Sequence, residues 1–325
     1  MQGVKEKALE LLESGKVQRV LGWRAGEFFY DLTPAVFECA AEIEKDFQYS
    51  VFAGANLSKY CIAEAKKDGV TAVFLKPCDT YSFVQLLKEH KFPREKFYIV
   101  GVQCDGMCSM EEIRARGISG VTAAMEDGAY LKLSTLYGEE TIKKQDAWLL
   151  KCRTCKSKKL VIFDELLGEQ GEDCPQSHRF DEVERLEALT PEERFSFWRG
   201  ELSRCIRCNA CRNVCPACTC ETCVFDNHDL GTDNKAIADS FEENFFHIIR
   251  AFHVTSRCTD CGECSRVCPQ HIPLHLLNRK FIKDTNELYG VYQAGADLEG
   301  RPPLMDFRTD DCEPSVVYER GGAKV

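Results

Sequence analysis

No apolar run in the 325-residue chain approaches the roughly 18 residues that a membrane-spanning helix requires. Its N-terminus, MQGVKEKALELLESG, alternates charged and apolar residues, with neither the apolar core of a secretion signal nor a twin-arginine pair. Both absences lead to the expectation of a cytoplasmic protein with no direct membrane span. Positive charge is also in deficit: 42 Lys and Arg stand against 52 Asp and Glu, a formal net charge of −10, which argues against nucleic acid as a partner. Catalytic motifs are missing as well. There is no Ser/His/Asp grouping, no HExxH and no phosphate-cradling GxxxxGK[ST]. No residue stands out as acid, base or nucleophile, which points away from substrate chemistry by the chain's own side chains.

Cysteine is abundant instead, with twenty in the chain. A disulfide scaffold is the reading for short secreted chains, and this one is neither short nor led by a secretion signal. Two runs of four thiols each stand out. Each reads C-x2-C-x2-C-x3-C-P: Cys205, Cys208, Cys211 and Cys215 before Pro216, then Cys258, Cys261, Cys264 and Cys268 before Pro269. This is the spacing of a bacterial two-cluster ferredoxin, in which the fourth cysteine of each run serves the other cluster. The spacing therefore assigns Cys205, Cys208, Cys211 and Cys268 to one [4Fe-4S] cluster, and Cys258, Cys261, Cys264 and Cys215 to a second. Zinc suits one such run far better than two complete ones.

With 44% hydrophobic residues the chain is long enough for two domains with real cores. VKEKALELLE (4–13) has helical periodicity, and Val17 to Leu21 reads as a short strand. Thr33-Pro34 is expected to open a helix through Lys45. Strand-like SVFAG (50–54), TAVFLK (71–76) and KFYIVG (96–101) alternate with helical stretches at 57–67 and 80–89, a βαβαβ pattern with a parallel sheet. Ligands gather at the carboxyl ends of such strands. Those ends carry Gly54-Ala55-Asn56, then Pro77-Cys78-Asp79, then Gln103-Cys104-Asp105. A further helix is expected near 110–116, short strand-like pieces around 120–134, and a helix from Pro191 to Trp198.

The expected domains are an α/β unit with a parallel sheet over 1–185, a mostly helical two-cluster ferredoxin-like α+β unit over 186–292, and an extended tail over 293–325. Between the two cysteine runs, SFEENFFHIIRAFH (240–253) places Phe241, Phe245, Ile248, Ile249 and Phe252 at helical spacing. That face suits either the ferredoxin core or a docking surface. A helix from Leu274 to Leu288 follows the second run. Cys39 and Cys61 read as buried thiols inside helices, and Cys174 and Cys312 as bystanders. Cys218, Cys220 and Cys223, just beyond the first run, have no assigned role.

Cys78 and Cys104, at two neighbouring strand ends, and the C-x2-C pair Cys152 and Cys155 make four thiolates, enough for one more iron–sulfur cube. From the residues alone, two small buried hydrophobes and a separate zinc pair serve equally well. LKPCDTYSFVQLLKE, then IVGVQCDGMC, then KCRTCKSKKLVIFDELLGE resemble the beta-subunit family of deazaflavin-reducing hydrogenases and formate dehydrogenases. The resemblance covers roughly residues 50–170. It implies a [4Fe-4S] cluster on Cys78, Cys104, Cys152 and Cys155, with Cys108 the rival for the place of Cys104. The paired runs and their CPACTCETC extension are similar to the ferredoxin modules fused to such subunits.

FAD, which family members carry, accompanies a glycine-rich segment near the N-terminus. Here that region reads GWRAGEFFYDLTPAVF. Gly54, Asn56 and Lys76 are the residues placed to touch a flavin. The family implies an electron-transfer subunit of an anaerobic oxidoreductase complex, partnered by the catalytic and electron-accepting subunits of a formate dehydrogenase, hydrogenase or heterodisulfide-reductase type of assembly. The alternative is an FAD-dependent subunit that itself turns over a soluble deazaflavin or nicotinamide coenzyme. Arg153, Lys156, Arg204, Arg207, Arg212, Arg257 and Arg266 flank the cysteines as candidate tuning charges.

Overall fold

The computed structural model of the chain describes residues 3–175, 178–227 and 240–305. Among these, eight strands form: β1 (Arg19–Ala25), β2 (Leu32–Phe37), β3 (Thr71–Leu75), β4 (Phe97–Val102), β5 (Val121–Asp127), β6 (Tyr130–Thr135), β7 (Gly138–Lys143) and β8 (Glu165–Leu167). The main sheet has the order β2-β1-β3-β4-β8. Strand β3 is TAVFL, buried at all five positions, a continuous run of the kind a sheet covered on both faces selects. It pairs in parallel with β1 and β4, and β4 pairs in parallel with β8.

The sheet is mixed rather than wholly parallel, because β2 returns antiparallel to β1 with Pro34 opposite Trp23. Residues 33–37, expected as the start of a helix, are thus an edge strand. Proline is tolerated there because no further strand needs its missing N–H. SVFAG forms no strand either. Its backbone turns back on itself, Ala53 N–H to Ser50 O at 2.9 Å and Gly54 N–H to Phe52 O at 2.7 Å. A short buried apolar run looks the same in composition whether it is strand or packed turn. β5, β6 and β7 form a separate antiparallel sheet.

Six helices accompany these strands: α1 (Val4–Glu13), α2 (Ala40–Asp46), α3 (Cys61–Glu64), α4 (Pro77–Lys88), α5 (Met110–Ala115) and α6 (Leu150–Arg153). The expected helix over 57–67 shrinks to a turn at Ser58–Tyr60 followed by α3. Pro77 occupies the first turn of α4, where its missing N–H costs nothing. Trp23, Phe37, Phe47 and Phe74 fill the core, with Phe47 and Phe74 rings 5.7 Å apart at a steep angle. Cys61 is buried in this core, whereas Cys39 caps α2 and is exposed, contrary to expectation. A polar cap position before a short helix has no apolar wall to lie against.

The C-terminal half is helical: α7 (Asp181–Glu187), α8 (Pro191–Leu202), α9 (Ala210–Val214), α10 (Ser240–His253), α11 (Glu263–Arg266) and α12 (His275–Tyr289). Helix α7 spans the boundary drawn at residue 185, and Val183 and Leu186 pack with Leu276 of α12. Helix α10 packs against α8 and α12. Its buried face is Phe246, His247, Arg250 and Ala251, and of the stripe read from the sequence Ile249 packs partly against that core. Phe245, Ile248 and Phe252 are exposed, and the side chain of Phe241 lies outside the described residues. Of the expected tail, residues 293–305 are described. They cross α4, with Ala294 buried and Lys88 Nζ donating to Gly300 O. Cys312 lies outside the described residues.

Candidate metal centres

The two cysteine runs adopt the same backbone. In the first, Arg207 and Asn209 flank Cys208 with φ of 53° and 60°. In the second, Asp260 and Gly262 flank Cys261 with φ of 56° and 68°. Left-handed residues on either side of a cysteine turn successive N–H groups inward, and such nests suit anionic sulfur. Arg207 N–H points at Cys205 Sγ, 3.3 Å away. At Gly262 glycine is required twice over: by its positive φ, and because a Cβ there would lie 2.5 Å from that of Lys151.

The fourth cysteine of each run packs beside the other run, Cys268 with Cys205 and Cys211, and Cys215 with Cys258. Cys211 feels the charge of Cys205, Cys268 and Cys208. Cys215 instead faces Cys258, Cys261 and Cys264, and all four line one cavity. Burial pushes the thiols of Cys258, Cys261 and Cys264 up to about 12, with Asp260, Glu263 and neighbouring sulfurs adding to it at one or another. A sulfur set buried this deeply ionises only beside compensating positive charge, which is what iron supplies. Cys218 hydrogen-bonds to Cys215 and lowers its pKa, whereas Cys220 is exposed.

In the N-terminal half, Cys78 is the second residue of α4, directly after β3, and Cys104 follows β4. The parallel register that sets Leu75 beside Gly101 brings both cysteines to one edge. Helix α6 delivers Cys152 and the turn after it Cys155. All four line a single cavity. Cys104 is pushed up to about 12, first by burial and then by Cys152. Met107 N–H donates to Cys152 Sγ at 3.3 Å. Cys108 does not line this cavity; its thiol points to Lys144 O at 3.8 Å. Among the described residues no three His, Cys, Asp or Glu side chains converge on a single metal ion. A cube of four irons with a thiolate at each corner needs donors spread around a larger body, and the two cavities lined by four-cysteine sets suit that demand.

The same N-terminal cavity is walled by Asp260 and Cys261 of the second run. Two lysines stitch the regions together. Lys151 Nζ donates to Gly54 O at 2.7 Å and pairs with Glu263, which Arg266 also grips at 2.8 Å. Burial alone would raise the Glu263 carboxyl, but Arg266 and Lys151 outweigh it and hold it far below the usual carboxylate range. Lys156 Nζ donates to Thr259 O. Ser82 and Thr259 hydroxyls meet at 2.9 Å, and Arg257 Nε donates to Glu89 at 2.8 Å. These lysine bridges were not legible beforehand, because each joins residues about a hundred positions apart.

Of the residues placed near a flavin, Gly54 approaches Leu149 closely. Asn56 donates to Ser82 Oγ at 3.1 Å. Lys76 is wholly buried, paired with Asp79 at 2.9 Å, donating to Ala55 O at 2.8 Å and lying 4.5 Å from the Trp23 ring centre. Its ammonium is thus engaged inside the protein rather than solvated.

Residues 201–272 match the 4Fe-4S dicluster domain family. The chain is also 24% identical to the F420-dependent formate dehydrogenase subunit beta of Methanocaldococcus jannaschii, over 91% of this chain and 92% of that protein. The F420-dependent formate dehydrogenase 1 subunit beta of Methanococcus maripaludis is likewise 24% identical, over 90% of each. Among solved structures, a chain of the F420-reducing [NiFe] hydrogenase complex from Methanosarcina barkeri aligns with a TM-score of 0.36 at 12% identity, covering 57% of this chain and 76% of that one. No helix among the described residues is long and apolar enough to cross a membrane.

Proposed function

We propose that this chain is an iron–sulfur electron-transfer subunit of an oxidoreductase complex of the formate dehydrogenase or hydrogenase type. It would relay single electrons through three [4Fe-4S] clusters. One is held by Cys205, Cys208, Cys211 and Cys268, the second by Cys258, Cys261, Cys264 and Cys215, and the third by Cys78, Cys104, Cys152 and Cys155. The observation that carries this reading is the shared wall: Cys261 borders both the N-terminal cavity and the cavity of its own set. Adjacent carriers with protein between them are what electron tunnelling requires.

The clusters, when bound, supply the redox chemistry, and the chain supplies ligation, spacing and potential. The nests around Cys208 and Cys261 present N–H groups to sulfur. Lys151, Glu263 and Arg266 lock the second run against the N-terminal cavity, fixing the distance between the two sites. Partner subunits at each end would supply and remove the electrons. The relatives' names, subunits beta of F420-dependent formate dehydrogenases, support that class of partner.

Protein purified without oxygen tests the proposal. Three clusters require iron and sulfide near about twelve each per chain, and three distinguishable [4Fe-4S] signals on reduction. Iron near about eight would remove the third cluster from the relay. Stoichiometric flavin with turnover of a soluble coenzyme would replace the relay by a flavoenzyme.

A further inference from the structure

The charges that flank the cysteine runs in sequence are largely neutralised where they stand. Arg204 pairs with Glu201, Arg212 with Asp226 at 2.7 Å, Arg257 with Glu89, and Arg266 with Glu263. Arg250 is different. It lies on the inner face of α10, only 2% exposed, and its Nε, Nη1 and Nη2 have no hydrogen-bond partner among the described residues. A guanidinium is always charged and carries five N–H donors and no acceptor. Burying one without an anion is costly.

The neighbours of Arg250 one turn away along the chain pack among cysteines: Phe246 clusters with Cys205, Cys211 and Cys264, and Val254 with Cys215, Cys218 and Cys258. The cysteines whose charge it feels are Cys264, Cys211, Cys215 and Cys218. Burial works against its charge, and these sulfurs outweigh that and raise its pKa. Cys211 belongs to one proposed ligand set and Cys215 and Cys258 to the other, so Arg250 sits on the stretch of α10 that passes from one set to the other. One turn earlier on the same face, Phe246 is buried, with Arg207 stacked 4.1 Å from its ring centre.

We propose that Arg250 is the redox-tuning residue of the C-terminal pair, its buried guanidinium holding the reduction potentials of both clusters up, with unpartnered N–H donors available to the clusters' inorganic sulfide. The inference rests on the reading that the two cysteine sets hold [4Fe-4S] clusters. Each electron accepted by a cluster adds one negative charge and no bond is made or broken. A fixed cation in the dry interior favours that reduced state, and because guanidinium keeps its proton, none moves with the electron.

The test uses the full chain loaded and handled without oxygen, titrated with dithionite under EPR, as wild type, Arg250→Gln and Arg250→Lys. At the potential that half-reduces the wild-type pair, Arg250→Gln should lower the ratio of reduced to oxidised cluster about tenfold, or about 59 mV for a one-electron couple. The N-terminal signal should not move, and Arg250→Lys should recover most of the shift. Unchanged potentials in a fully loaded Arg250→Gln protein overturn the proposal. Should that variant fail to load, wild-type protein with 15N confined to its arginine guanidinium groups decides the matter. Coupling of 15N to the reduced pair, lost in Arg250→Lys, supports the assignment, and no coupling in the wild type overturns it. Absence of the pair's signals from the wild type, with iron and sulfide correspondingly low, fails the underlying ligand reading instead.

Discussion

In the C-terminal half, three cysteines of each proposed set come from seven consecutive residues, Cys205–Cys211 and Cys258–Cys264. In the N-terminal half, Cys78, Cys104 and the Cys152–Cys155 pair come from three separate places, and only the sheet brings them together. The first arrangement needs little more than a loop with left-handed residues around its middle cysteine. The second needs β3 and β4 in parallel register and α6 docked beneath them. A local motif carries its geometry with it, whereas a dispersed site inherits geometry from the fold. The C-terminal sites should therefore tolerate damage to the rest of the molecule, and the N-terminal site should not.

Loss of one ligand on each side is the largest expected effect. Cys208→Ser should remove or convert one C-terminal cluster, a loss of up to about four irons per chain, and leave the N-terminal EPR signal in place. Cys78→Ser should do the reverse. An unchanged iron count in Cys78→Ser would remove the N-terminal site from the comparison altogether.

The two regions also differed in how much the sequence disclosed. Spacing alone suggests the C-terminal sets, and in the structure Cys215, Cys258, Cys261 and Cys264 line one cavity. Strands β3 and β4 and helices α1, α4 and α12 were legible because periodicity and proline placement agreed there. β2 was misread because Thr33-Pro34 suits a helix start and an edge strand alike, and only the neighbouring β1 decides between them. Arg250 was missed for a related reason. On a helix bearing Phe245, Ile248 and Phe252, a lone arginine reads as solvated, and the burial of the opposite face is set by tertiary packing.

A core deletion tests the dependence on fold without touching a ligand. Phe74 is fully buried on β3, and Phe74→Ala should cost about 3–5 kcal/mol. The N-terminal cluster signal should weaken or broaden while the C-terminal pair persists, read by EPR on the same sample together with thermal unfolding. Parallel loss of all three signals would mean that the halves fold as one unit and that locality confers no independence. Glu263→Gln probes the seam between them. It leaves the buried Lys151 ammonium and the half-buried Arg266 beside a neutral amide, an uncompensated charge expected to cost about 3 kcal/mol. Adding Lys151→Met should recover part of that loss, and full additivity of the two changes would show that the ion pair does not couple the regions.

The smallest effect is the most discriminating for the dispersed site. Cys104 and Cys108 lie four residues apart and both are pushed up to about 12, first by burial. Thiol character therefore does not tell them apart, but direction does: Cys104 lines the cavity, while Cys108 turns toward Lys144 O. Cys108→Ser should keep its full iron content and lose about 1 kcal/mol, because a buried hydroxyl replaces a thiol where the acceptor is distant. Cys104→Ser should lose about four irons. Iron analysis and chemical unfolding of the pair, side by side, check both. The opposite pattern would mean that the β4 end turns when the cluster binds, and that the sheet positions the dispersed site only approximately.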